Sequence, residues 1–151
     1  MKLLSVFSVV VILLVSTFGM GVTMAESPTI ERQSFLVLRT NSVWDDAGKV
    51  RAMISSIANE FDYDEQTMLC VAVKESSMGM NKRCGDNGHS CHIFQIKQPT
   101  WDYFIKLMKE QSINTDYLEY SNYADQTYVT GWAIKNGLGN NWTPILDGRC
   151  K

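Results

Sequence analysis

The chain of 151 residues is 45% hydrophobic and 20% charged, and its 14 basic against 16 acidic residues leave a formal charge of −2. That balance excludes a basic, nucleic-acid-binding protein, and any anionic polymer must be gripped by local contacts and not by a global positive field. The length allows one compact domain with a single core and is too little for two.

Lys2, an apolar run over residues 3–15 and the small residues of Thr23-Met24-Ala25 predict a signal peptide over residues 1–25. The alternative is an uncleaved anchor, because the weakly polar stretch 3–24 is long enough to cross a bilayer core of roughly 30 Å. A membrane is a partner only in that second case. No cysteine closely follows the apolar run, which argues against a lipid-modified N-terminus. Cleavage removes only Lys2 from the charge count, leaving 13 basic against 16 acidic residues, a net charge of −3. The mature protein is then expected outside the cytoplasm, whether secreted, periplasmic or extracellular, as a monomer.

Residues 26–48 hold Pro28 and Gly48 and show no sustained period. They read as a leader that packs on the domain, with a short strand over residues 34–38. The domain itself occupies residues 49–151. Over residues 49–61, apolar side chains recur at Val50, Met53, Ile54, Ile57, Ala58 and Phe61, the spacing of an amphipathic helix. Asp62 or Asp64 then caps a second helix that runs to about residue 77, with Glu65 favourable to its dipole. Its centre, Met68 with Leu69, Cys70, Val71, Ala72 and Val73, is apolar on every face, as for a helix buried in the middle of a small domain.

Residues 82–88 form a polar, Gly-containing loop, and residues 90–96 are extended or turning. Pro99 suits the first turn of another helix, with Trp101, Phe104, Ile105 and Met108 as its inner stripe. Residues 123–136 predict a further helix, with Gly137 as its left-handed cap and Trp142 and Pro144 in the tail. The expected fold class is mainly α, of the small α+β kind: helices around one buried helix, with a disulfide-stapled loop or minimal β region.

Four cysteines follow the apolar segment, at 70, 84, 91 and 150. An even count in an exported domain implies two disulfides with three pairings. The favoured one joins Cys84 to Cys91 across the short loop and Cys70 to Cys150, tying the C-terminus to a helix. A metal reading of His89, Cys91 and His92 beside Cys84 matches no standard zinc spacing, so neither metal nor cofactor is implied.

Glu75 lies where the most apolar helix meets the polar loop, so its carboxyl is expected to face a dry wall and a cleft. Desolvation raises a carboxyl pKa, and a glycosidase needs a group still protonated near neutral pH to protonate the leaving oxygen. The bland alternative is a helix-terminal surface glutamate paired with a lysine. Trp101, Trp132 and Trp142 offer stacking surfaces for sugar rings, although aromatics on helices more often pack in cores. Asn141-Trp142-Thr143 matches a glycosylation acceptor, made a poor one by Pro144.

Glu75-Ser76 at the end of an apolar helix, then Phe94-Gln95-Ile96 and Pro99-Thr100-Trp101, resembles the lysozyme-like superfamily, including the soluble lytic transglycosylases and animal lysozymes. The resemblance spans about residues 50–145 and is motif-like over residues 70–101. The stretch from Ser90 to Trp101 looks especially like the invertebrate-type lysozymes, in which a catalytic aspartate follows the acid glutamate by eleven residues. Asp86 stands at that spacing from Glu75. Read without the resemblance, Asp86 shapes the turn Asp86-Asn87-Gly88.

The resemblance implies a glycosidase acting on the bond between N-acetylmuramic acid and N-acetylglucosamine, with peptidoglycan strands or chitin-like oligosaccharides as partners. It assigns Glu75 as general acid and Asp86 as its companion, and it places Ser76, Ser90, His92, Gln95 and Tyr103 around the substrate. Three departures stand out. His92 occupies a position where glycine is usual, Ser90 replaces the second carboxylate of vertebrate-type lysozymes, and the Ala-Tyr-Asn triplet typical of transglycosylases is lacking. A transglycosylase needs one glutamate alone, whereas a lysozyme of this type needs Asp86 as well. A non-catalytic saccharide-binding or inhibitory module with the same fold is the alternative.

Overall fold

The computed structural model describes residues 33–40 and 46–151. The expected signal peptide, and the rest of the leader before residue 46, lie outside the described residues. Among the described residues, no helix is long and apolar enough to cross a membrane.

The fold is mainly helical. Helix α1 spans Gln33–Thr40, α2 Ala47–Phe61, α3 Glu65–Ser76, α4 Gln98–Glu110, α5 Tyr123–Lys135 and α6 Thr143–Leu146. The strand expected over residues 34–38 is a helix instead. Helical spacing puts Phe35 and Arg39 on one side of α1, where Phe35 is fully buried against Phe61 and Tyr128 and Arg39 reaches Asp125 on α5. Leu36 and Val37 face outward, at 41% and 66% exposure. A strand would also put Phe35 and Arg39 on one face, but roughly 13 Å apart instead of the roughly 6 Å of one helical turn, and the close helical spacing lets both reach α5.

Helix α2 starts at Asp46, whose carboxylate accepts from the Gly48 and Lys49 amides at 2.7 and 3.1 Å. It buries Val50, Met53, Ile54, Ile57 and Ala58, as their spacing requires. Asp62 ends α2 in the left-handed region, and Asp64 caps α3 by accepting from the Thr67 amide at 3.0 Å.

The buried central helix is α5 and not α3. Every residue from Ala124 to Ala133 is buried, whereas α3 leaves Val73 at 44% exposure and Lys74 in solvent. The composition of α5 hides this, because Asp125, Gln126, Thr127 and Thr130 are polar. Asp125 is met inside by Arg39 and Thr127 donates to the Tyr123 carbonyl, while Gln126 donates to the Tyr120 carbonyl but leaves its buried Oε1 without a partner. Gly131 lets the Tyr63 ring lie against the helix, since a Cβ there would stand 2.1 Å from a ring carbon.

The β region is minimal. β1, Ser90–Cys91, pairs antiparallel with β2, Ile96–Lys97, placing Ser90 opposite Lys97. Helix α4 follows at once, with Pro99 in its first turn and Trp101, Phe104 and Met108 buried. Gly137 takes the left-handed conformation after α5. Cys70 pairs with Cys150 and Cys84 with Cys91, the first tying the chain's end to the middle of α3.

Candidate active site

Helix α3 stops sharply because Ser77 and Met78 both take left-handed backbone, which leaves Glu75 in the last turn at the mouth of a cleft. Ser76 points the other way. Its buried hydroxyl donates to the Ile93 carbonyl at 2.6 Å and accepts from the Gly79 amide at 2.7 Å. It braces the helix end against the hairpin and leaves no lone donor for a substrate.

The opposite wall is the loop closed by Cys84–Cys91. Inside it, Gly85 donates to the Gln95 side-chain oxygen at 2.8 Å and bridges to Ser90. Asp86 and Asn87 follow with positive φ, 48° and 58°, a turn that Asp and Asn tolerate better than most residues. The Asp86 carboxylate then accepts from Ser90 Oγ at 3.1 Å and pairs with Lys97 Nζ at 2.7 Å, both on Oδ2. Ser90 and Lys97 are cross-strand partners, so the hairpin register itself brings the two donors to one oxygen.

Glu75, Arg83, Asp86, Ser90, Lys97 and Trp142 line a cleft of about 510 Å³. Burial pushes the Glu75 carboxyl up, the nearby Arg149 charge pulls against that, and the Asp86 charge adds to it. Its place in the last helical turn acts in the same upward direction, since helix carbonyls disfavour a negative charge there. Hydrogen bonds from Lys97 and Ser90, with the Lys97 charge, hold Asp86 below the usual carboxylate range. One cleft thus holds a carboxyl biased toward its proton and another biased toward its charge.

The other residues singled out in the sequence have different places. Gln95 lines the cleft, but its amide is engaged by the Gly85 amide and the His92 carbonyl. It fixes the loop. His92, with φ of 69°, does not line the cleft: its ring meets Tyr120 and Tyr123 edge-on at 5.4 and 6.0 Å, and burial lowers its pKa. Tyr103 lies outside the cleft lining too, on the exposed side of α4. Trp101 and Trp132 belong to the core. Trp142 is also buried, donates to the Phe94 carbonyl at 2.9 Å and gives the cleft a wall. The disulfide removes Cys84 and Cys91 as metal ligands.

Arg83 and Lys97 are cleft residues that the sequence reading missed, as are Asn141 and Thr143 from the tail. A weak signal existed for Arg83, which adjoins a cysteine of the stapled loop. Lys97 lies within the Ser90 to Trp101 stretch that carries the resemblance, but its pairing with Asp86 depends on the strand register.

No family model, curated protein or solved structure matches this chain.

Proposed function

We propose that this chain is an exported glycosidase that cleaves the β-1,4 bond between N-acetylmuramic acid and N-acetylglucosamine in peptidoglycan. The observation that carries the reading is the opposite bias of Glu75 and Asp86 within one cleft. Such divergence divides acid from base among neighbouring carboxyls.

Glu75 donates its proton to the glycosidic oxygen as the bond breaks. Asp86, kept ionised by Lys97 and Ser90, stabilises the positive charge that develops on the sugar or orients the attacking water. Oδ2 is occupied by both donors, so Oδ1 is the oxygen available for that task. This arrangement favours hydrolysis over transglycosylation, which would not call on Asp86. The two disulfides suit an oxidising compartment.

Digestion of purified cell walls followed by mass spectrometry tests the reading. Fragments with reducing ends support hydrolysis, and anhydro ends support transglycosylation. Tight binding of the walls without any released fragment would replace the enzyme with a saccharide-binding module.

A further inference from the structure

Two carboxyls and two cations line the cleft, Glu75, Asp86, Arg83 and Lys97, and their charges cancel only while Glu75 is ionised. Asp86 is paired with Lys97 at 2.7 Å, and Glu75 does its proposed work in the neutral, protonated form. Arg83 is the charged group left over. Among the described residues its guanidinium makes no hydrogen bond or ion pair, and Arg149, the other nearby cation, is already engaged by Asp147 at 2.7 Å.

Arg83 is nevertheless well anchored at its main chain. Its amide donates to Asn81 Oδ1 at 3.2 Å, its carbonyl accepts from Gln95 Nε2 at 3.4 Å, and the next residue is held by the Cys84–Cys91 disulfide. With the backbone fixed and the tip unengaged, binding a ligand has only the side chain's own rotamers left to order. The planar guanidinium fork matches the two oxygens of a carboxylate. In a chain of net negative charge, an uncompensated cation in the cleft is a local feature and not part of a general basic field.

We infer that Arg83 recognises a carboxylate carried by the glycan, so that the cleft prefers an acidic aminosugar polymer to neutral chitin. This rests on the glycosidase reading and adds to it the chemical class of substrate and the residue that selects it.

The test uses the full mature chain in a Glu75→Gln background, so that binding is read apart from cleavage. Three probes are titrated: peptide-free peptidoglycan strands with free lactyl carboxylates, the same strands with those carboxylates amidated, and chitin hexamer. The free-carboxylate strands are expected to bind about tenfold more tightly than the amidated ones, the scale of one charge-assisted contact. Adding Arg83→Gln should remove that difference and its salt dependence, Arg83→Lys should restore part of it, and chitin binding should not move.

Equal binding of free and amidated strands, an Arg83→Gln effect of the same size on all three probes, or no binding to any of them would overturn the inference. Cleavage by the otherwise wild-type chain is measured separately. An inactive protein that still discriminates through Arg83 removes the glycosidase reading and leaves the recognition. An active one that does not discriminate does the reverse.

Discussion

Lys97 Nζ stands 2.7 Å from Asp86 Oδ2, and Ser90, its partner across the hairpin, donates to the same oxygen at 3.1 Å. The pair holds Asp86 ionised while Glu75, in the same cleft, is biased toward its proton. Replacing Lys97 by Met removes the principal influence that lowers the Asp86 pKa. If cleavage needs ionised Asp86, the acid limb of the kcat/KM profile should move to higher pH, with less change at neutral pH. A structural role for Lys97 alone would lower the whole profile without moving the limb.

Glu75→Gln should reduce cell-wall cleavage by about 10²–10⁴-fold, the usual contribution of a general acid, with circular dichroism unchanged. Stability should respond in the opposite sense. A carboxyl whose folded pKa is raised contributes stability below its unfolded pKa and loses it as pH rises through the folded value. The Tm of Glu75→Gln relative to wild type should therefore increase from acid toward neutral pH.

The two disulfides are expected to separate stability from activity. Cys70–Cys150 closes a sequence separation of 80 and Cys84–Cys91 one of 7. Breaking the first by double Ser substitution should cost about 2–5 kcal/mol in denaturant unfolding. Breaking the second should cost less, yet reduce cleavage more, since its loop carries Asp86.

Arg39→Met tests the clasp between α1 and α5. Asp125 is fully buried and pairs with Arg39 through two contacts, one of them at 3.0 Å. Removing the cation should cost about 3–5 kcal/mol. Burial already pushes the Asp125 carboxyl up against the pull of Arg39. Without Arg39 that upward bias grows, so the variant should lose more stability at pH 7 than at pH 4, as equilibrium unfolding at the two pH values would show.

Gly131→Ala improves helix propensity by about 1 kcal/mol in an open setting. Here the new Cβ would meet Tyr63 at 2.1 Å, and overpacking of this kind costs about 1–3 kcal/mol. Thermal unfolding should show a net loss, recovered in part by pairing the change with Tyr63→Leu.

Helices α2 and α4 were legible because each has a clear apolar stripe, and Pro99 marks the start of α4, whereas the Asp46 cap of α2 emerges only from the fold. Loop length and chain position favoured one of three disulfide pairings, and the fold has that one. Helix α1 was misread because Phe35, Leu36, Val37 and Leu38 look like a strand in isolation, and only the contacts of Phe35 and Arg39 with α5 decide otherwise. Helices α3 and α5 exchanged roles for a related reason. A run of apolar residues advertises burial, while Asp125 and Thr127 conceal it by finding polar partners inside.

The sequence alone determined the mainly helical fold and the placing of Glu75 at the end of an apolar helix, because periodicity and capping are local properties, and it favoured the stapled loop without excluding the other two cysteine pairings. Tertiary structure decided which helix is central and which residues share the cleft. It removed His92 and Tyr103 from the cleft lining and added Arg83 and Lys97. It also gave Asp86 its partners, since those depend on strand register and on chain segments that meet only after folding.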